Sequence, residues 1–159
     1  MGKSLLAAVI VILVVAGAAY FLYSDTAHAP TTDTSKPSEL EAYTYSNATA
    51  DMITVDEPQA HASVPPTFTV SGKARGTWYF EATFPIEVKD TRGAVIGQGH
   101  AQAKSDWMTT EFVPYSASIT LSRPYTGDAR LFLEKDNPSG DRLRDASLSF
   151  PITIEKSYY

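Results

Sequence analysis

An immunoglobulin-like antiparallel β-sandwich of about seven strands is the fold predicted for residues 51–159, and three observations predict it. The stretch from Ala82 to Val88 alternates strictly, with Ala82, Phe84, Ile86 and Val88 on one face and Thr83, Pro85 and Glu87 on the other. A period of two is the mark of a strand with one dry and one wet face. From Met52 onward turn residues recur every 8 to 15 positions, and no segment there carries the 3.6-residue period of a helix.

The elements follow in order. Ile53 to Val55 forms a short first strand, ended by Pro58. Val64 to Gly72 forms the second; Pro65 and Pro66 confine its start to an edge or a bend, and Phe68 and Val70 point inward. The Ala82–Val88 strand is third, led in by Gly72, Gly76 and the triplet Trp78-Tyr79-Phe80. Asp90-Thr91-Arg92-Gly93 closes a hairpin, with Gly93 supplying a positive φ. Val95 to Ala103 places Val95, Gly97, Gly99, Ala101 and Ala103 on one face; their small side chains call for bulk opposite, from Phe84, Trp78 and Trp107. Phe112 to Leu121 turns Val113, Tyr115, Ala117, Ile119 and Leu121 inward. Ala129 to Glu134 offers Leu131 and Leu133 with Phe132 on the reverse, and Ser147 to Ile154 closes with Leu148, Phe150, Ile152 and Ile154 in phase.

The first 50 residues read differently. Lys3 precedes an uncharged run whose apolar centre, Leu5 to Tyr23, is 19 residues long. As a helix it would cover roughly 28 Å, near the hydrocarbon thickness of a bilayer. Residues 1–24 are therefore expected to be an uncleaved transmembrane anchor, with Lys3 on the cytoplasmic side and the C-terminal domain outside the cytoplasm. A cleaved signal peptide is the competing reading, since Ala27-His28-Ala29 fits the small-x-small rule. Pro30 disfavours cutting there, and a signal core is shorter. Residues 25–50 are rich in Thr, Ser, Ala, Asp and Pro and read as a flexible linker. Tyr43 and Tyr45 raise the alternative of an edge strand or a partner contact, with plain linker preferred. Asn47-Ala48-Thr49 matches a glycosylation sequon and is read as chance.

Composition removes several function classes. The chain of 159 residues has a net charge of −5, so it lacks the basic footprint that nucleic acid requires. There is no cysteine, hence no disulfide, thiolate nucleophile or lipobox. His28, His61 and His100 show no metal-ligand spacing, and no G-x-S-x-G elbow is present. Neither an enzyme, a cofactor nor a metal site is expected. Asp136-Asn137-Pro138-Ser139-Gly140-Asp141 is dense in oxygen ligands but lacks the order of a calcium loop, and reads as an Asx-Pro turn. Glu81 reads as a structural carboxylate bonded to backbone or to Arg75, and Trp107-Met108 as core packing in preference to a recognition patch.

Three phrases carry a resemblance: Gly72-Lys-Ala-Arg-Gly-Thr-Trp-Tyr-Phe-Glu-Ala-Thr-Phe-Pro, Asp106-Trp-Met-Thr-Thr-Glu-Phe-Val-Pro-Tyr, and Lys135-Asp-Asn-Pro-Ser-Gly. Together, and over about Ile53 to Ile154, they resemble the bacterial spore-germination-associated immunoglobulin-like domain, Gmad2. The resemblance implies an immunoglobulin-like sandwich outside the cytoplasmic membrane, with no catalytic residues. The matching positions Arg75, Trp78, Glu81, Trp107, Met108, Asp136 and Asn137 are the candidate binding residues. In spore formers the module is often fused to a second germination-associated domain on a lipoprotein; this chain carries neither, so a germination role does not follow. The expected function is a membrane-tethered scaffold that binds a protein or the cell wall, through sheet edges and the Asp136–Leu143 loop. The alternative is a peptidoglycan- or carbohydrate-binding module, with Tyr79, Tyr125 or Trp107 stacking on sugars.

Overall fold

The computed structural model describes residues 42–156. The expected anchor and the first part of the linker lie outside the described residues. The described residues form nine strands: β1 (Thr44–Ser46), β2 (Ile53–Glu57), β3 (Ser63–Val64), β4 (Thr67–Arg75), β5 (Thr83–Asp90), β6 (Val95–Ala103), β7 (Phe112–Leu121), β8 (Gly127–Glu134) and β9 (Ser147–Ile154). They pair in the order β1-β9-β8-β5-β6-β7-β4-β2, antiparallel throughout, while β3 adds to β9 in parallel. The layers β2-β4-β7 and β6-β5-β8-β9-β1 face each other, joined where β6 meets β7 at the ends of their ladder.

Alternation in the sequence dictates this packing. Phe68 and Val70 from β4, Phe84, Ile86 and Val88 from β5, Val113, Tyr115, Ala117 and Ile119 from β7, Leu131 and Leu133 from β8, and Leu148, Phe150, Ile152 and Ile154 from β9 all fall in one buried core. Phe84 is its hub. Its ring meets Trp78, Tyr79 and Tyr115 edge-on, at centroid separations of 6.3, 5.2 and 5.0 Å, the arrangement that aromatic quadrupoles favour.

Four expectations need correction. Val64 to Gly72 is not one strand. Pro65 and Pro66 offer no N–H to a ladder, and the chain changes layer there: β3 lies on β9 and β4 on β2 and β7. Ala82 is not part of β5. Glu81 and Ala82 have φ of 50° and 63°, so the chain turns through the left-handed region before the strand begins at Thr83. Val95 does not face inward. A bulge sets Val88 opposite Gly97 and Lys89 opposite Val95, so Ile96 is the extra residue and takes the core position, leaving Val95 41% exposed. Finally, the linker does not run unstructured to Ala50. β1 pairs with β9 at Thr44↔Ser149 and Ser46↔Ser147. The Tyr43 ring lies 5.1 Å from Phe150, the Arg130 guanidinium donates to the Thr44 hydroxyl at 2.7 Å, and the Ala60 amide donates to the Tyr43 hydroxyl at 3.1 Å. Two tyrosines are enough apolar surface to dock a three-residue strand that its polar neighbours would not hold.

The hairpin after β5 forms as expected. Gly93 has φ of 81° and donates to the Asp90 carbonyl at 2.9 Å. The Asp90 side chain is buried; it accepts from the amides of Arg92 (2.9 Å) and Ala94 (3.0 Å) and from the Arg123 guanidinium (2.9 Å). Burial alone would raise its pKa. Those backbone amides, with Arg92 and Arg123, outweigh it and hold the carboxyl below the usual range.

Candidate functional site

The strand directions gather four connections at one pole of the sandwich: 47–52, 76–82, 104–111 and 135–146. The three phrases that carry the family resemblance, dispersed in sequence, meet there. Arg75 leaves β4 with its guanidinium 4.1 Å over the Phe112 ring, donates to the carbonyls of Asp51 (2.9 Å) and Thr110 (3.3 Å), and pairs with Glu111 at 3.5 Å. One cation therefore ties the first, second and third loops together. Gly76 follows, and its amide donates to the Glu111 carbonyl at 3.1 Å. A side chain at 76 would collide with the backbone carbonyls of Thr109 and Trp107, so only glycine lets the two loops lie backbone against backbone.

Trp78 ends a single 3-10 turn, Gly76–Trp78, and is buried. Its carbonyl accepts from the Asp136 amide at 3.1 Å, which brings in the fourth loop. Its Nε1 is buried without an acceptor among the described residues; an unmet donor costs about 1–3 kcal/mol, offset here by the ring packing around Phe84. Tyr79 is buried too, and its hydroxyl donates to the Val113 carbonyl at 2.7 Å. Burial pushes its pKa well above the ordinary tyrosine value.

The candidate residues thus divide. Arg75 and Trp78 build the pole, as anchor and floor. Glu81 does not pair with Arg75, which is committed to Glu111; it stands exposed on a left-handed turn, with no hydrogen bond or ion pair among the described residues. Trp107 is half-buried against the core, whereas Met108 turns outward and is 77% exposed. The expectation of core packing holds for the first and fails for the second, because a hydrogen bond from the Met108 amide to the Asp106 carboxylate (3.0 Å) folds the loop so that consecutive side chains diverge. Between 76–79 and 107–110 lies an open groove of about 500 Å³.

Asn137 opens the expected turn, its carbonyl accepting from the Gly140 amide at 3.4 Å, while Asp136 lies just before it. The Asn137 side-chain Nδ2 donates to the Asp141 carbonyl (2.8 Å) and to the Asp145 carboxylate (2.7 Å), and the Ser139 hydroxyl donates to Asn137 Oδ1 at 2.6 Å. Asp141 then accepts from the Leu143 amide at 3.0 Å. Among the described residues no group of three or more His, Asp or Glu side chains is placed to hold a metal ion.

Sequence reasoning missed the feature that unites this pole. Among the described residues the exposed large hydrophobic side chains are Met52, Phe80, Val95, Met108 and Leu143. All but Val95 stand at this pole, and each of the four loops carries one. The sequence-level signal was an apolar residue interrupting a polar loop, which has meaning only when the loops are known to converge.

Neither curated proteins nor solved structures give a match to this chain. Among the described residues no helix is long and apolar enough to cross a membrane. Comparison with protein families matches residues 52–141 to the immunoglobulin-like domain of bacterial spore germination. That span holds β2 to β8 and all three motif phrases, and the chain belongs to this family, Gmad2.

Proposed function

We propose that this protein is a non-enzymatic, membrane-tethered interaction module outside the cytoplasm, which grips a protein partner with its four-loop pole. The observation that carries the reading is the quartet Met52, Phe80, Met108 and Leu143, one exposed apolar side chain on each converging loop. Soluble domains seldom leave such residues grouped unless they meet something, and rigid sandwiches place recognition on loops that the scaffold positions. The tether rests on the apolar run Leu5 to Tyr23.

The test is crosslinking in the native cell with a photoreactive residue at Thr110. A discrete adduct should form with wild type, persist in Val95→Ser, and disappear in Met108→Ser combined with Leu143→Ser. An adduct indifferent to the double change refutes the reading.

The peptidoglycan-binding alternative loses one of its three rings, since Tyr79 is buried and cannot stack on a sugar. Trp107, half-exposed on the groove, keeps it open to test. Sedimentation with purified cell walls, competed by free muropeptide, distinguishes it from a protein partner.

A further inference from the structure

Beside the pole, under the 135–146 loop, lies a cleft of about 440 Å³, within the size range of small-ligand sites. Its walls come from segments far apart in sequence: Ser46 and Asn47 on one side, Glu134, Lys135, Arg142 and Asp145 on the other. The frame is fixed. Asn47, at φ of 48°, donates to the Asp145 carbonyl at 3.0 Å; the Lys135 amide donates to the Ala146 carbonyl at 2.8 Å; Asn137 holds the Asp145 carboxylate at 2.7 Å.

Charge of both signs in the cleft is left unspent. Neither Lys135 nor Arg142 has an ion pair among the described residues. Glu134 is poorly compensated. Among the described residues Lys89 is the one cation paired with it, at 3.9 Å, and sits closer to Glu87, at 2.8 Å. Burial, reinforced by the Glu87 charge, pushes the Glu134 pKa upward despite Lys89. A half-buried carboxylate and two unpaired cations therefore line one small, mostly polar cleft.

We infer that this cleft is a binding site for a compact zwitterion of amino-acid or short-peptide type, its ammonium on Glu134 and its carboxylate between Lys135 and Arg142. The chemistry follows from complementarity. An anion alone would meet the carboxylates of Glu134 and Asp145, and a cation alone would meet Lys135 and Arg142. A ligand carrying both signs satisfies all of them, and charge-assisted bonds in a preformed cleft are the strong ones. The inference goes beyond the apolar contact surface proposed above and does not depend on it.

The test uses the full 159-residue chain, isotope-labelled, with alanyl-alanine, its N-acetyl form and its C-terminal amide as probes. Amide shifts at residues 46–47 and 134–147 should saturate with the dipeptide, and each blocked form should bind about tenfold more weakly. Glu134→Gln should weaken the dipeptide and the C-amide about tenfold and leave the N-acetyl form unchanged. Lys135→Gln with Arg142→Gln should weaken the dipeptide and the N-acetyl form about tenfold and leave the C-amide unchanged. Absence of saturable shifts, equal binding of all three probes, or indifference to the substitutions overturns the proposal. Because Met108→Ser and Leu143→Ser leave the charged groups in place, loss of the crosslinked adduct and loss of dipeptide binding are separately readable.

Discussion

Gly76→Ala is the sharpest test of how the pole is built. The added Cβ would stand 2.9 Å from the carbonyl carbon of Thr109 and collide with the oxygens of Thr109 and Trp107. Carbon atoms in contact rest near 3.5–4.0 Å, so the 107–110 backbone has to retreat by at least about half an ångström. It cannot do so freely, since the Gly76 amide bonds the Glu111 carbonyl at 3.1 Å and Arg75 bonds the Thr110 carbonyl at 3.3 Å. Overpacking against backbone costs about 1–3 kcal/mol, or roughly 5–15 °C in melting temperature for a domain of this size. Thermal unfolding followed by circular dichroism measures the loss, and Trp107 emission reports the local shift. Gly97→Ala is the control. There the new Cβ meets the Leu121 Cδ2 methyl at 3.0 Å, a side-chain end that can swing aside, and the expected cost is below about 1 kcal/mol. If Gly76→Ala melts within about 2 °C of wild type with unchanged Trp107 emission, the two loops do not lie against each other as described.

Three further outcomes are expected. Tyr79→Phe removes a buried hydrogen bond to the Val113 carbonyl and should cost about 1–2 kcal/mol in urea unfolding. Because burial raises the Tyr79 pKa, its contribution is complete below the ordinary tyrosine value near 10 and fades as pH climbs past it; the variant should therefore show a shallower alkaline fall in melting temperature. Asp90 has a lowered folded pKa, so its contribution is full above the ordinary carboxylate value of about 4 and fades as pH drops through it. Asp90→Asn should melt lower than wild type at pH 7 and converge with it toward pH 3. A chain starting at Asp51 lacks β1 and its contacts to Phe150 and Arg130; it should melt about 5–10 °C below one starting at Pro37 and associate through the bared edge of β9, read by light scattering.

Much of the sandwich was legible because alternation survives in single strands. The inward residues of β7, β8 and β9 could be named from period two alone, and the Gly93 turn from its turn-forming residues. What escaped depended on partners. The Ile96 bulge exists only relative to β5, and nothing in Val95-Ile96-Gly97 announces which residue is surplus. β1 is three residues anchored by Tyr43, just before it, against Phe150, more than a hundred positions away. Arg75 could be singled out, but its acid is Glu111 and not the nearer Glu81, since the left-handed turn at 81–82 aims that carboxylate elsewhere. At the pole the motif phrases gave the building residues, while the outward side chains were hidden by the rule that apolar means inside.

The orientation of β1 has a mechanical corollary. It runs toward the loop pole, with rungs to β9 from Thr44 to Ser46. If something held the loops while the chain entering β1 were drawn the other way, tension would run along the strand and strain every rung at once, instead of unpicking them singly. Traction of that kind is resisted far better than a sideways pull, so a strand of only three residues is also set where it can act as a strain relief for whatever hangs on it.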